Sequence, residues 1–577
     1  MSNTTSERLE TRCPRDEKTA ISSKLPDEKN ATSIRDGTIT PLEADETEDN
    51  VNDSYLGSTQ QHPFTNPSDA EHWATVYEKA KYEGRHRFDP STQWDASTEK
   101  KLVRKLDIRI MVWVWIMFSS LDLIRRNINR AVSDNMLDEL NMNTNDFNNG
   151  QTIYLFSFLA AELPGGLLSK KIGPDVLTPI SICLWGTICA CQSLVKNRTG
   201  FYLTRAFLGF SQGGFIPDMV LYMSYFWKSN ELPIRLSVFW TAIPLTQIIG
   251  ALLAAGFLKM RGLYDWSGWQ WLFLIEGLMS IVIGLLTFLL MPPSIAETHK
   301  IFGGRATWLH GKTGWFTERE EKILVNRILR DDPSKGDMNN RQHVNLKGIW
   351  AAVKDVDLWP TYILGILAYI PFQPAANYLS LTLRNLGYTV FEANMLAVPG
   401  YFLFFVNILV VTWLSEKYRE RLIFSSLSNF WVLPFIIGLL AIAPSTSPWV
   451  RYALLTGVNG EPYTHAILVG MISRNSNNVG TRAVSAAVYN MCYQFGSIIA
   501  VNVYRDSDKP YYYRGNKILV GITSANIILF FLAKLYYIRR NRQKERKWNG
   551  LSQSEREQYL SATTDTGLKK LNIRFAH

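Results

Sequence analysis

WLFLIEGLMSIVIGLLTFLLM, Trp271 to Met291, carries a single ionisable residue, Glu276, in 21 residues. A helix of that length covers about 30 Å, the thickness of a bilayer's hydrocarbon core, so the stretch reads as a membrane-crossing helix. Working outward, five comparable apolar stretches precede it from Leu106 and six follow between Leu358 and Ile538, about twelve in all. The expected fold class is therefore an all-α polytopic membrane protein. Mean hydropathy over the 577 residues is only −0.06, because a polar segment, 1–99, is averaged with the apolar spans. That segment has almost no apolar run with which to offset its chain entropy and is expected to be a disordered tail.

Basic residues cluster beside the spans. Lys100, Lys101, Arg104 and Lys105 precede the first, Lys170 and Lys171 follow the second, and Lys417, Arg419 and Arg421 follow the eighth. Arg474 and Arg482 flank the tenth connection, and IRRNRQKERK, Ile538 to Lys547, follows the twelfth span. With an even span count these segments share one side, so both termini are expected to be cytoplasmic. A membrane surface accounts for the net charge of +10, and no nucleic-acid partner is expected. A long charged linker, 292–357, separates an N-terminal half, 100–291, from a C-terminal half, 358–538, and a cytoplasmic tail, 539–577, closes the chain. In the linker Thr317, followed by Glu318 and Glu320, is placed to cap a short amphipathic helix. The five cysteines show neither CxxC spacing nor a paired framework, so no metal, redox chemistry or cofactor is expected. No nucleophile–base pairing or phosphate-binding loop points to an enzyme. No removable signal peptide is visible, and the first span is expected to direct insertion.

Polar groups inside spans are costly and are functional candidates. The first span ends SSLDLIRRNINRAV, Ser119 to Val132, where Arg125 and Asn127 are placed to greet a carboxylate or sulfonate; Arg126 could equally snorkel to headgroups. The fourth reads RAFLGFSQGGFIPD, Arg205 to Asp218. Gly209 and Gly213 share a face that admits a neighbouring backbone. Arg205 is expected to face a cavity, with Glu162 or Asp218 as its partner, or else to form a structural ion pair. In the seventh, Pro371 and Pro374 break the helix, while Tyr369, Gln373 and Asn377 at i, i+4, i+8 share a face that lines a pathway or a packing seam. Asn490, Tyr493 and Gln494 have the same relation in the eleventh span, and Glu461 and His465 are four apart in the tenth.

From about Lys100 to Arg546 the chain resembles the fungal allantoate permease family, the anion:cation symporter branch of the major facilitator superfamily. The family's Asp-Arg-x-Asn-Ile-Gly-x-Ala is matched by Arg125, Asn127 and Ile128 with Ile124 in place of the aspartate. Its Arg-x-x-x-Gly-x-x-Glu-x-Gly-Phe-x-Pro is matched by Arg205, Gly209, Gly214, Phe215 and Pro217, with Gln212 in place of the glutamate. SGWQWLFLIEG, Ser267 to Gly277, and the Asn-rich turn ISRNSNNVGTRAVSAA are similar to further family stretches. GLLSKKIG, Gly166 to Gly173, is similar to the superfamily loop with Lys170 in the aspartate position, and WLSEKYRER keeps Glu416 and Lys417 as its acid–base pair.

The resemblance implies the major facilitator fold and a secondary active transporter at the plasma membrane. It would take up a small anionic solute with protons: a carboxylate or sulfonate such as allantoate, a vitamin acid or a sulfur compound. Arg125, Asn127, Arg205, Tyr369, Gln373, Asn377, Asn490 and Gln494 are the expected substrate-binding residues. With acids missing at 124, 170 and 212, proton coupling is expected to fall to Glu162, Glu276, Asp122, Glu461 or His465, Glu162 beside Arg205 being favoured. A transporter-like nutrient sensor and an efflux antiporter are the competing readings; the fifth span, AIPLTQIIGALLAAG, lacks the Gly-Pro-Gly-Gly motif of antiporters. Other expected partners are the lipid bilayer and ubiquitin machinery acting on Lys18, Lys24 and Lys29.

Overall fold

A computed structural model describes residues 63–562 apart from 81, 229–230, 299, 302–304, 307–313, 337–349, 351 and 477–478, together with 571 and 574–577. Lys18, Lys24 and Lys29, and the side chains of Lys170, Lys171 and Arg482, lie outside the described residues.

Helices occupy all twelve expected stretches. Among the described residues, seven are long and apolar enough to cross a membrane by length and composition alone, including Pro174–Gln192, Gly268–Leu290 and Leu422–Ala441. The others carry charges or breaks that sequence chemistry explains. The first span, Val112–Ala131, contains the arginine cluster; the second, Thr144–Ile172, opens on an Asn143–Asp146 capping box. The fourth is split at Gly213–Gly214 into Arg198–Gln212 and Phe215–Ser224. The seventh runs Trp359–Leu367, Gln373–Asn377 and Leu379–Asn385, broken where Pro371 and Pro374 withhold backbone donors. The tenth consists of Pro448–Asn459 and His465–Arg474, with Gly460 and Pro462 between them.

Such breaks free carbonyls that lipid cannot satisfy, and neighbouring side chains cap them. Asn526 donates to Leu367 O at 2.8 Å and Asn429 to Ala368 O at 3.3 Å. Asn407 donates to Gly460 O at 2.6 Å, and Trp431 to Gly457 O at 2.8 Å. The second and fourth spans meet through glycine as expected: a Cβ on Gly209 or Gly213 would stand 2.3 Å from Tyr154 O or Phe158 O respectively.

The described part of the 1–99 segment, from residue 63, is ordered, which corrects the expectation of disorder there. Pro67–Lys79 forms a helix, and Phe64, Tyr77 and Phe88 pack edge-to-face at 5.0–5.1 Å. The segment lies against the linker helix Glu318–Asp331, whose Thr317–Glu320 capping box is present. Arg327, 0% exposed at its side chain, bridges Glu99 on one side and Glu231 on the other. Arg87 reaches Glu318 and Glu321, and Lys228 reaches Glu99 at 2.5 Å. Averaged composition hid this clasp because its stabilisation comes from a few aromatics and from partners about 100 to 230 residues away.

A second correction concerns WLSEKYRER. Glu416 pairs with Arg421, at 2.5 and 2.8 Å, while Lys417 lies over the Trp413 ring. Consecutive helical residues point about 100° apart, so the chain's return after the turn supplies the partner.

The two halves are joined at the ends away from the linker. Asn148 donates to Tyr504 O at 2.7 Å and accepts from Tyr378. Asn502 donates to Thr152 at 2.9 Å, Asn129 to Asn377 at 3.3 Å, and Lys259 sits 3.8 Å from the Phe391 ring centre.

Candidate translocation site

On the linker side of that seal lies a cleft of about 620 Å³, open solvent included, between the halves. Its N-terminal wall comes from Phe118, Asp122, Arg125 and Arg126, from Phe158 and Glu162, and from Trp240. Tyr463, His465, Asn490, Tyr493 and Gln494 form the opposite wall. An adjoining lobe of about 580 Å³ shares Arg125, Arg126 and Tyr493 and adds Asn129, Gln151, Tyr154, Gln373, Asn377 and Ser497. The first span's contribution recurs at 118, 122, 125, 126 and 129, a single helical stripe.

The two adjacent arginines differ electrostatically. Arg126 donates Nε to both oxygens of Asp122, at 2.8 and 3.0 Å, so this pair is neutral overall. Arg125 meets only a neutral polar partner: its Nη2 donates to Gln494 Oε1 at 3.3 Å, across the seam, and its guanidinium lies over the Phe158 and Tyr154 rings. Among the described residues no carboxylate stands within ion-pair distance of Arg125.

Several expected ligands lie elsewhere. Asn127, two residues and therefore about 200° from Arg125, points into the N-terminal half and donates to Cys189 Sγ at 3.3 Å. Arg205, 0% exposed, stands one layer behind the cleft, with Nη2 donating to Gln151 Oε1 at 2.6 Å and its guanidinium 4.4 Å from the Tyr154 ring centre. Its expected partner Glu162 faces the cleft instead, and no ion pair joins the two. Glu276 is buried behind the same wall, where Asn127 and Arg130 act on it without reaching hydrogen-bonding geometry.

The face proposed for Tyr369, Gln373 and Asn377 does not exist as one face, because the helix is interrupted from 368 to 372. Tyr369 is buried against Thr464 at 3.4 Å, whereas Gln373 and Asn377 line the second lobe. The unbroken helix Val479–Val501 keeps its stripe: Asn490, Tyr493 and Gln494 all reach the cleft. His465 reaches it too, enclosed by the rings of Trp240, Tyr369, Tyr463, Tyr489 and Tyr493 at 4.7–5.8 Å.

Gln151, Tyr154 and Asn129 were not singled out from sequence. They form a chain of contacts from Arg205 through Gln151 to Asn129, at 3.0 Å, and on to Asn377 of the other half. The signal available was Asn129, one turn beyond Arg125 on the first span's stripe.

A cleft between two helical halves, with interrupted helices beside it, is the layout of a carrier. The family model described as Major Facilitator Superfamily matches residues 114–501. This chain belongs to the major facilitator superfamily. Within the superfamily it is 52% identical over 520 residues to the uncharacterized transporter YIL166C of Saccharomyces cerevisiae, covering 90% of this chain and 95% of that one. It is 24% identical over 427 residues to the major facilitator-type transporter hxnP of Emericella nidulans, covering 72% and 81%. Among solved structures, the xylose transporter XylE of E. coli superposes with a TM-score of 0.50 at 12% identity, covering 72% of this chain and 96% of that one. This superfamily member is therefore a multi-pass membrane transporter and not an enzyme.

Proposed function

We propose that the chain imports a small organic anion together with protons, as the resemblance to the allantoate permease branch implies. One observation carries the reading: among the described residues the Arg125 guanidinium faces the cleft without a carboxylate partner, while Arg126 beside it is neutralised by Asp122. A positive charge in a poorly solvated cleft is stabilised by an anion, and a planar fork suits carboxylate or sulfonate. Gln373, Asn377, Asn490 and Gln494 offer neutral hydrogen bonds around it.

Glu162, on the same wall, is the proposed proton carrier, with His465 opposite as the second candidate. An ionised carboxylate there repels an anionic cargo, and protonation removes the repulsion, so proton and anion bind best together. With the termini cytoplasmic, as the basic flanks favour, the sealed ends are extracellular and this conformation is the one that releases cargo inward. An importer of external nutrients acts at the plasma membrane.

The test is uptake of a panel of radiolabelled carboxylates and sulfonates into proteoliposomes under an imposed pH gradient. Accumulation of one of them, driven by the gradient and lost in Arg125→Gln, is expected. Transport of neutral or cationic solutes only, with no response to Arg125→Gln, overturns the reading.

A further inference from the structure

The last span belongs to one continuous helix, Tyr513–Asn549, of 37 residues. At 1.5 Å per residue it is about 55 Å long, well beyond the roughly 30 Å of a hydrocarbon core. Two stripes run along it at alternating spacings of three and four. The inner stripe, Asn526, Phe530, Ala533 and Tyr537, is buried against the C-terminal half and continues into Arg540 and Lys544. Both inner cations are used within the protein: Arg540 forks onto Asp357 at 2.8 Å twice, and Lys544 lies 4.6 Å from the Phe575 ring centre.

The outer stripe begins with Ile528, Leu532 and Leu535, 54–61% exposed, which are the side chains lipid must cover. It continues at the same angular position into Arg539, Arg542 and Arg546, all exposed and none in an ion pair with a described residue. Arg539 stands about 6 Å and Arg542 about 10 Å beyond Leu535 along the axis, within reach of the headgroup layer. Arg546 stands about 16 Å beyond Leu535 and within a Debye length of that layer. Glu545 on the flank is the single acid between Ile538 and Lys547.

We propose that Arg539, Arg542 and Arg546 form a binding site for the anionic phospholipid headgroups of the leaflet on the side of the termini. Continuity is the argument: a face that meets acyl chains passes, without rotation, into guanidinium groups that match phosphate. Inner-face cations are already satisfied, so only the outward ones remain for lipid.

The experiment uses the full chain in nanodiscs of phosphatidylcholine with and without phosphatidylserine, followed by delipidation and quantification of retained lipid. Each arginine near a surface contributes roughly fivefold to anionic-lipid enrichment, so R539Q/R542Q/R546Q should lose more than tenfold of the phosphatidylserine preference. R539K/R542K/R546K should keep most of it, because lysine retains the charge. Melting in pure phosphatidylcholine should be the same for all three proteins, which shows that the variants fold. Equal phosphatidylserine retention in wild type and the glutamine variant overturns the proposal, as does retention that ignores headgroup charge. Recovery of the lost stripe's effect by an added acidic peptide, with no lipid dependence, would assign the site to a protein partner and overturn it as well.

Discussion

Arg125 of the N-terminal half and Gln494 of the C-terminal half meet across the cleft, Nη2 to Oε1 at 3.3 Å. The contact is long and its acceptor neutral, so it is readily exchanged for an anionic oxygen, which adds attraction between opposite charges and can accept the guanidinium's two parallel donors. Cargo held by Arg125 would thus compete with a bond that ties the halves together.

Arg125→Lys should weaken anion uptake, because lysine offers a point charge where the guanidinium offers two parallel donors. A hydrogen bond to a charged group contributes about 1.5–3 kcal/mol, so the expected loss in kcat/KM is about 10- to 100-fold. Arg126→Lys, altering a group whose charge is matched by Asp122, should change uptake far less in the same assay. Equal effects of the two substitutions would remove Arg125 from its special place.

Glu162→Gln tests coupling separately from binding. The variant should still exchange labelled for unlabelled anion across the bilayer but should fail to accumulate it against a gradient when a pH difference is imposed. Retained uphill accumulation would move the proton to His465, which faces the same cleft.

Sequence made the helices and their number legible because apolar length is a local property, and the interrupted seventh span was readable from Pro371 and Pro374. The stripe Asn490, Tyr493 and Gln494 was legible for the same reason: an unbroken helix preserves its periodicity. What sequence could not give was depth. Arg125 and Arg205 look alike as intramembrane arginines, yet one faces the cleft and the other stands behind Gln151 and Tyr154. Periodicity places residues on a helix face without saying whether that face meets solvent, lipid or another helix. The Arg327 clasp was equally invisible, since its partners Glu99 and Glu231 come from separate parts of the chain.

The clasp should respond to pH with a definite sign. Burial alone would raise the Glu99 carboxyl, but hydrogen bonds from Lys228 and Trp94 and the Arg327 charge outweigh it and hold the group below its ordinary value. A carboxylate lowered in the folded state contributes fully above its unfolded value, and the contribution is lost as pH falls through the folded one. Protection against hydrogen exchange in Ala96–Leu106, corrected for the intrinsic pH dependence of the amide rate, should therefore stay high at neutral pH and fall only in the acid range below the ordinary carboxylate value. Lys228→Gln should move that onset upward in pH, and an unchanged profile would count against the network. Arg327→Met leaves Glu231 without its ion-pair partner and Glu99 with Lys228 alone, so its cost should fall at or below the ~3 kcal/mol at the low end for breaking a fully buried pair.

Glycine packing and the seal between the halves set the remaining constraint on alternation. Gly213→Val would drive a side chain into Phe158 O, where even a Cβ stands 2.3 Å away, and overpacking of this kind costs about 1–3 kcal/mol. Such a change should lower yield and melting temperature without favouring either conformation. Asn148→Ala should act differently. It removes a fully buried amide that donates to Tyr504 O and accepts from Tyr378, both in the other half, so only the sealed conformation loses the bonds. Losing two hydrogen bonds of about 0.5–1.5 kcal/mol each shifts a two-state balance roughly five- to a hundredfold toward opening at that end. A cysteine placed at Ala376, which lines the second lobe, should then become reactive toward an impermeant thiol reagent applied on the side away from the termini. In a background lacking the native cysteines, the same cysteine with Asn148 intact should remain protected; equal reactivity would show that this amide pair does not hold the halves together.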